Sequence, residues 1–159
     1  MGIDASQLRQ LVIAPTLHHL QRHSASAEAL LLAVAACQSG LGCQLADSNC
    51  YGIFQISADQ HQSCWDSYLA ADPCLASQVR GLASQHAFLQ DPHLELAVNL
   101  RYATAIAWFL IEAQHIELPA TPDIQRFARI WQQVFNPAGL SGDFLQAWHN
   151  CLDGSLQAA

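Results

Sequence analysis

Capping residues, prolines and glycines divide this chain into short segments, and in each segment the apolar residues recur at helical spacing. Ser24 and Ser26 offer N-caps for a helix over residues 27–39, which Gly40 is placed to end. Signals of the same kind predict further helices over residues 4–14, 15–23, 57–69, 73–89, 94–115, 121–135 and 141–151.

One stretch between these helices has a different character. Residues 41–49 predict a loop, and residues 51–56 carry the aromatic and β-branched side chains typical of a short extended segment. Helices with short connections predict an all-α globular fold of six to eight helices, or at most a mainly helical α+β fold with a vestigial hairpin near residues 44–56. A chain of 159 residues has room for one core, so we expect residues 1–159 to form a single domain.

The composition excludes several classes of protein. Hydrophobic residues make up 52% of the chain and charged residues 12%, so the chain can bury a core and is not disordered. The longest strongly apolar runs, residues 29–37 and 103–111, are about half the ~20 residues that a membrane-spanning helix needs. All six basic residues are Arg, and the net charge of −7 argues against binding to nucleic acid or to an anionic membrane surface.

The cysteines leave three chemistries open. No basic segment precedes an apolar stretch at the N-terminal end, so we expect no signal peptide and synthesis in the reducing cytoplasm. Cys43 with Cys50, and Cys64 with Cys74, are placed to clamp local loops as disulfides, while buried free thiols are a comparable alternative. The third chemistry is a zinc site on His61, Cys64 and Cys74, but the chain has no Cys-x2-Cys pair to complete the four ligands. We therefore expect no metal and no other cofactor.

Three short polar segments are candidates for a binding site. Residues 37–40 (CQSG) end an apolar helix, residues 51–56 (YGIFQI) follow the loop, and residues 97–103 (AVNLRYA) lie inside a long predicted helix. A fourth and weaker segment begins at Trp131 and continues through residues 135–139 (FNPAG).

The side chains in these segments suit a neutral ligand rich in hydroxyl and amide groups. The uncharged donors and acceptors are Gln38, Ser39, Gln55 and Asn99. Flat apolar surfaces nearby come from Tyr51, Phe54, Tyr102 and Trp108. The plainer interpretation of the amide side chains is that they cap helices or bind water, as Gln and Asn near helix ends usually do.

The order and spacing of the segments resemble the lysozyme-like soluble lytic transglycosylases. That family carries Glu-Ser-Gly at the end of a core helix, then Gly-x-x-Gln after an aromatic residue, then Asn followed by an aromatic residue and Ala in a later helix. Residues 38–40, 52–55 and 99–103 match this order. Residues 123–148 also resemble the C-terminal part of virion-associated bacteriophage members, and the resemblance covers about residues 27–148.

The resemblance implies a lysozyme-like domain that acts on peptidoglycan or a related glycan strand, with helices over residues 4–23 added at its N-terminal side. It puts Gln38 at the position of the general acid and implies substrate contacts from Ser39, Tyr51, Gln55, Asn99 and Tyr102. It also implies packaging in a phage particle, with virion proteins as partners. The oligomeric state stays open.

Gln38 departs from the family pattern, which has Glu at this place. A glycosidic general acid needs a carboxyl whose pKa is raised by an apolar pocket, and it then acts as the base. A Gln amide keeps the volume and the hydrogen bonds but has no proton to deliver near neutral pH. Losing a positioned acid–base group costs roughly 10²–10⁴-fold in rate, so we expect an inactive or inactivated glycan-cleaving site.

Three other carboxylates are candidates to replace the missing acid. Glu95 lies four residues before Asn99 on the predicted helix, and Asp47 and Asp59 flank the second segment. A simpler role for Glu95 is to favour the dipole at a helix start. Solvation in the loop and a place in a first helical turn are the simpler roles of Asp47 and Asp59.

Two further functions stay as alternatives: a non-catalytic glycan-binding or virion structural module, and an unrelated helical protein. The family interpretation predicts that Gln38, Ser39, Gln55 and Asn99 converge on one concave surface. It also predicts a core that contains Phe54, Ile56, Leu100, Ala103, Trp108, Ile130, Trp131 and Trp148.

Overall fold

The computed structural model describes residues 2–157, with side chains described through Leu152. It is mainly helical with one small antiparallel sheet, which confirms the predicted fold class at that level. The α-helices are α1 (Ala5–Leu8), α2 (Ala14–His19), α3 (Ala25–Ser39), α4 (Ala58–Ser67), α5 (Pro73–Arg80), α6 (Gln85–Gln90), α7 (Glu95–Val98), α8 (Leu100–Glu112), α9 (Ile124–Val134) and α10 (Ser141–Gln157). A 3₁₀ turn, Leu69–Ala71, lies between α4 and α5.

The sheet lies between α3 and α4, where the sequence predicts a loop and an extended segment. Its strands are β1 (Ala46–Asp47), β2 (Cys50–Tyr51) and β3 (Ile56–Ser57), in the order β1-β2-β3 and antiparallel throughout. The sheet thus has a third strand beyond the predicted hairpin, because the turn after Tyr51 brings Ile56 back to pair with it. Directly after β3, the predicted capping box of Ser57 and Gln60 begins α4.

The N-terminal helices are joined by a π-helical stretch, Arg9–Ile13, so that α1 and α2 follow one another without a break. Pro15 explains this geometry. Its ring removes one N–H and clashes with the carbonyl four residues earlier in an ordinary α-helix. Here the N–H of Ala14 bonds to the carbonyl of Arg9 instead, and Pro15 falls in the first turn of α2, as its sequence position predicts.

Helix α3 forms the centre of the core. Ser24 caps it by accepting a hydrogen bond from the N–H of Ala27, and Gly40 ends it in the left-handed conformation, at φ +60°. Residues on every side of this helix are buried, since α10, α8, α9 and the π-helical stretch all pack against it.

The long helix predicted over residues 94–115 is broken into α7 and α8. Asn99 has extended backbone angles and caps α8 by accepting a hydrogen bond from the N–H of Tyr102. Asn competes with the backbone for hydrogen bonds and therefore favours caps over helix interiors. The apolar periodicity continues across the break, which is why it does not reveal the break in the sequence.

Most of the predicted core residues are buried: Phe54, Ile56, Ala103, Trp108, Ile130 and Trp131. Leu100 and Trp148 are half-buried. Within residues 2–157, no helix has both the length and the apolar character needed to cross a membrane.

The cysteines, all of which lie among the described residues, are free thiols. Neither of the two local disulfides that the spacing allows is formed, and of the six free thiols only that of Cys64 is buried, as the buried-thiol alternative predicts. Burial raises the pKa of the Cys64 thiol to about 12 and, with a smaller effect of Asp143, that of Cys37 to about 11. Both thiols are therefore unreactive at neutral pH.

Candidate functional site

A polar cavity of about 440 Å³ opens at the C-terminal end of α3. Its volume lies in the usual range of small-ligand sites. Residues from α3, the sheet, the start of α4 and the segment after α9 line it: Gln38, Gln44, Asp47, Ser48, Cys50, Gln55, Ser57, Gln60, Phe135 and Asn136. The first, second and fourth of the sequence segments therefore meet here.

Gln38 is half-buried and its side-chain amide is held at both ends. The Nε2 group donates to the carbonyl of Phe54 over 3.2 Å, and Oε1 accepts from the indole Nε1–H of Trp131 over 3.1 Å. The Phe54 carbonyl can only accept and the indole can only donate. This environment fixes which end of the amide carries the nitrogen.

Ser39 is 6% exposed and lies beneath the cavity, not in its lining. Its hydroxyl donates to the carbonyl of Ile53 over 2.6 Å and accepts from the N–H of Gly42 over 2.9 Å. These bonds connect the end of α3 to the turn after β2. The structure thus gives Ser39 a positioning role in place of the expected substrate contact.

Gln55 lines the cavity, and its side-chain amide is hydrogen-bonded to backbone carbonyls. Its Nε2 donates to the carbonyl of Gly52 over 2.8 Å and to that of Gln44 over 3.3 Å. The turn that holds it needs Gly52, whose φ is +81° and whose Cα packs so closely on the carbonyl of Leu96 that a Cβ would overlap it. Local geometry and a close approach therefore both require glycine in the second segment.

Asn99 lies outside the lining of the cavity, so the expected convergence applies to Gln38 and Gln55 but not to Asn99. Besides capping α8, its Nδ2 donates to the carbonyl of Leu82 and to Oε1 of Glu95, both over 2.8 Å. These bonds use both amide hydrogens. The helix-capping interpretation is correct for Asn99.

The two tyrosines expected to contact substrate also lie outside the lining. Tyr102 has no exposed surface, and its hydroxyl accepts from the indole N–H of Trp65 and bonds with the ring of His61. The pKa of Tyr102 is raised, and burial of the hydroxyl is the largest cause. Tyr51 is half-buried in β2 and its ring stacks on that of His93, with centroids 6.1 Å apart.

The candidate replacement acids are dispersed. Asp47 lines the cavity from β1 and is exposed, with the Ser48 hydroxyl as a donor at 3.0 Å. Asp59 lines a neighbouring cavity. Glu95 is 1% exposed, and its Oε1 accepts from the N–H of Ser84 and from Asn99. Asp47 is thus the carboxylate that shares the cavity with Gln38.

Several lining residues were not expected from the sequence: Gln44, Ser48, Cys50, Ser57 and Gln60. Ser57 and Gln60 are visible in the sequence only as a capping box and Cys50 only as a disulfide candidate, and no pattern marks Gln44 or Ser48. Among residues 2–157, His, Cys, Asp and Glu side chains do not come together in a group of three or more that could hold a metal ion.

Comparisons with models of protein families, with curated proteins and with solved structures find no match for this chain.

Proposed function

We propose that this chain is a lysozyme-like domain that binds a peptidoglycan or related glycan strand in the cavity around Gln38 without cleaving it. The observation that carries the proposal is the pair of hydrogen bonds that fixes the Gln38 amide at the cavity: Oε1 accepts from the indole N–H of Trp131, and Nε2 donates to the carbonyl of Phe54.

One acceptor and one donor at fixed places are what a neutral carboxyl group needs. A protonated Glu would donate its O–H to the carbonyl of Phe54 and accept from the indole of Trp131. A charged carboxylate would set an oxygen against the Phe54 carbonyl. The Gln38 amide is therefore the stable isostere of a protonated acid, in a place that favours the protonated form. This supports the interpretation that a general acid has been replaced here.

The remaining lining suits a sugar. Besides Gln38, the lining contributes three Gln amides, the amide of Asn136, two Ser hydroxyls, one carboxylate and the ring of Phe135. Neutral donors and acceptors beside an aromatic ring match the hydroxyl and acetamide groups of an amino sugar. Without a proton donor at Gln38, such a cavity would retain its glycan instead of cleaving it.

The setting of this activity rests on the resemblance alone. We propose that the domain works in a phage particle beside virion proteins, where it holds the particle to the cell wall. A virion structural module without glycan affinity is the alternative function.

Binding is tested with insoluble peptidoglycan in a sedimentation assay and with tetrameric N-acetylglucosamine in an NMR titration. Asn136→Ala removes a lining amide and should weaken binding about five- to tenfold, as expected for one or two lost hydrogen bonds. Asn150→Ala makes the same change at an exposed position on α10 and should leave binding unchanged. Failure of the folded wild-type protein to bind either ligand would exclude the glycan-binding function.

A further inference from the structure

A second cavity, of about 470 Å³, lies at the other end of α3. Glu28 in its lining and Gln38 in the polar cavity are ten residues apart on this helix, which is about 15 Å along the axis. The lining contains three ionisable residues, Arg9, His23 and Glu28, and four apolar ones, Ala25, Ala29, Pro122 and Trp148.

The guanidinium of Arg9 is short of acceptors. Its side chain is 12% exposed, and its one acceptor among the described side chains is Oε1 of Glu28, at 3.4 Å from Nη1. That distance exceeds the 2.7–2.9 Å usual for charged hydrogen bonds. The Nε atom is buried with no partner among the described residues. A largely buried cation with unused donors is costly, and a planar oxyanion fits its geometry.

Glu28 does not form a bidentate pair with the Arg9 guanidinium, because its second carboxylate oxygen bonds to His23. The Nε2 of His23 lies 2.7 Å from Oε2 of Glu28, and the His23 ring stacks on that of His18 with centroids 3.9 Å apart. One guanidinium and one imidazole thus contact the carboxylate of Glu28, and the ring of His18 stacks on that imidazole.

The lining also offers a flat apolar surface. Trp148 is half-buried, and its ring packs against Phe127 while it also lines the cavity beside Pro122. A core position predicted for this Trp is therefore a cavity wall. Arg9 also begins the π-helical stretch, a rare geometry that occurs frequently at functional sites.

We propose that this cavity binds a small monocarboxylate with a flat apolar body, of the aryl-acetate class. The carboxylate accepts from the guanidinium of Arg9, and the ring lies on Trp148. The side chain of Glu28 keeps its bond to His23. This site is independent of the glycan-binding function.

The probe is indole-3-acetate, added to ¹⁵N-labelled protein and followed by NMR, with the side-chain Nε–H of Arg9 as a direct reporter. We expect saturable shifts at residues 9, 23–29 and 148, with a Kd on the order of 1 mM, the value that typical ligand efficiency gives a ligand of this size. Indole-3-acetamide has the same shape without the charge and should bind about tenfold more weakly.

Two variants assign the binding to the named residues. Arg9→Met keeps the apolar stem and should abolish saturation by the carboxylate, while Arg101→Met makes the same change at an exposed position on α8 and should leave the Kd unchanged. The comparison of the two probes on wild-type protein needs no variant to fold. Equal affinity for acid and amide, shifts that map to other residues, or no saturation at about 20-fold the expected Kd would each overturn the proposal.

Discussion

The indole Nε1–H of Trp131 donates to Oε1 of Gln38 over 3.1 Å and thereby connects the last turn of α9 to the last turn of α3. Both rings of the pair Trp131 and Phe144 are buried, with centroids 5.6 Å apart, so the donor is fixed in place by packing. The chemistry at position 38 is therefore set by a rigid indole, and a change of one atom there has defined consequences.

Replacing Gln38 by Glu should lower stability at neutral pH and restore glycan cleavage. At pH 7 the charged carboxylate introduced by Gln38→Glu would face the carbonyl of Phe54, and the free energy of unfolding should fall by about 1–3 kcal/mol. The fixed acceptor favours the protonated carboxyl, so its folded pKa lies above the unfolded one. That stabilisation is complete below the unfolded pKa and is lost as the pH rises through the folded pKa. The variant should thus unfold more easily at pH 7 than at pH 5, relative to wild type.

Gln44→Glu is the matched control, because it adds the same charge to an exposed residue of the same cavity. It should show neither the pH-dependent loss of stability nor cleavage in a peptidoglycan zymogram. A folded Gln38→Glu protein that leaves peptidoglycan intact would mean that the cavity has been remodelled for binding alone.

Gly139→Ala should break the connection between α9 and α3. A Cβ at position 139 would overlap the outer edge of the Trp131 ring, which is 2% exposed and has little room to move. Overpacking of this kind typically costs about 1–3 kcal/mol in stability. Gly142→Ala is the control, since a Cβ there meets nothing within 4 Å. Chemical denaturation compares the two, and an equal stability of both variants would contradict the tight packing at Trp131.

Asn99→Ala should destabilise the fold without touching the candidate glycan site. The change removes the cap of α8, for which about 1 kcal/mol is typical, and takes one donor from the buried carboxylate of Glu95. We expect a total loss of about 2 kcal/mol and an unchanged affinity for peptidoglycan. Asp123→Ala removes the cap of α9 at a half-buried residue whose capping hydrogen bonds are exposed, and should cost less. A large loss of glycan affinity in a folded Asn99→Ala protein would contradict this prediction and show that Asn99 contributes to glycan binding.

Capping residues make most helix starts, and the end of α3, predictable from the sequence. Ser24, Ser57 and Gly40 act through local geometry, so their roles follow from a few neighbouring residues. Gln38 and Gln55 could also be assigned to one site, because their motifs lie at the two ends of a short loop that must fold back.

The misplaced residues are those whose partners are distant in sequence. Tyr102 bonds to His61, 41 residues away, and nothing in the local pattern distinguishes a buried tyrosine from a cavity tyrosine. The side-chain amide of Asn99 donates to the carbonyl of Leu82, 17 residues away. Asn99 also interrupts a helix that apolar periodicity predicts as continuous. Long-range satisfaction of polar groups is decided by tertiary packing, which periodicity does not encode.

The buried ring of His61 has a hydrogen-bond partner at each nitrogen. Trp65 donates to the hydroxyl of Tyr102, so that hydroxyl can donate to Nε2 of His61 over 2.7 Å. The Nδ1–H of His61 then donates to Nδ1 of His93 over 2.9 Å. This network requires neutral His61. Burial, and secondarily the nearby His93, lower the pKa of His61 from 6.5 to about 4.

The lowered pKa predicts that acid destabilises the fold through His61. The unfolded chain takes up a proton on this ring as the pH falls below about 6.5, while the folded chain does so only near pH 4, so stability is lost progressively between those values. Between pH 7 and pH 4.5 this single group should account for about 2 kcal/mol of the lost free energy of unfolding. In His61→Gln the pH dependence should be smaller by that amount, although the variant is less stable at pH 7. His86→Gln removes an exposed histidine and should keep the wild-type pH dependence. Urea unfolding of the three proteins at both pH values measures the effect. If the free energy of unfolding changes equally with pH in wild type and in His61→Gln, His61 is not the group that titrates.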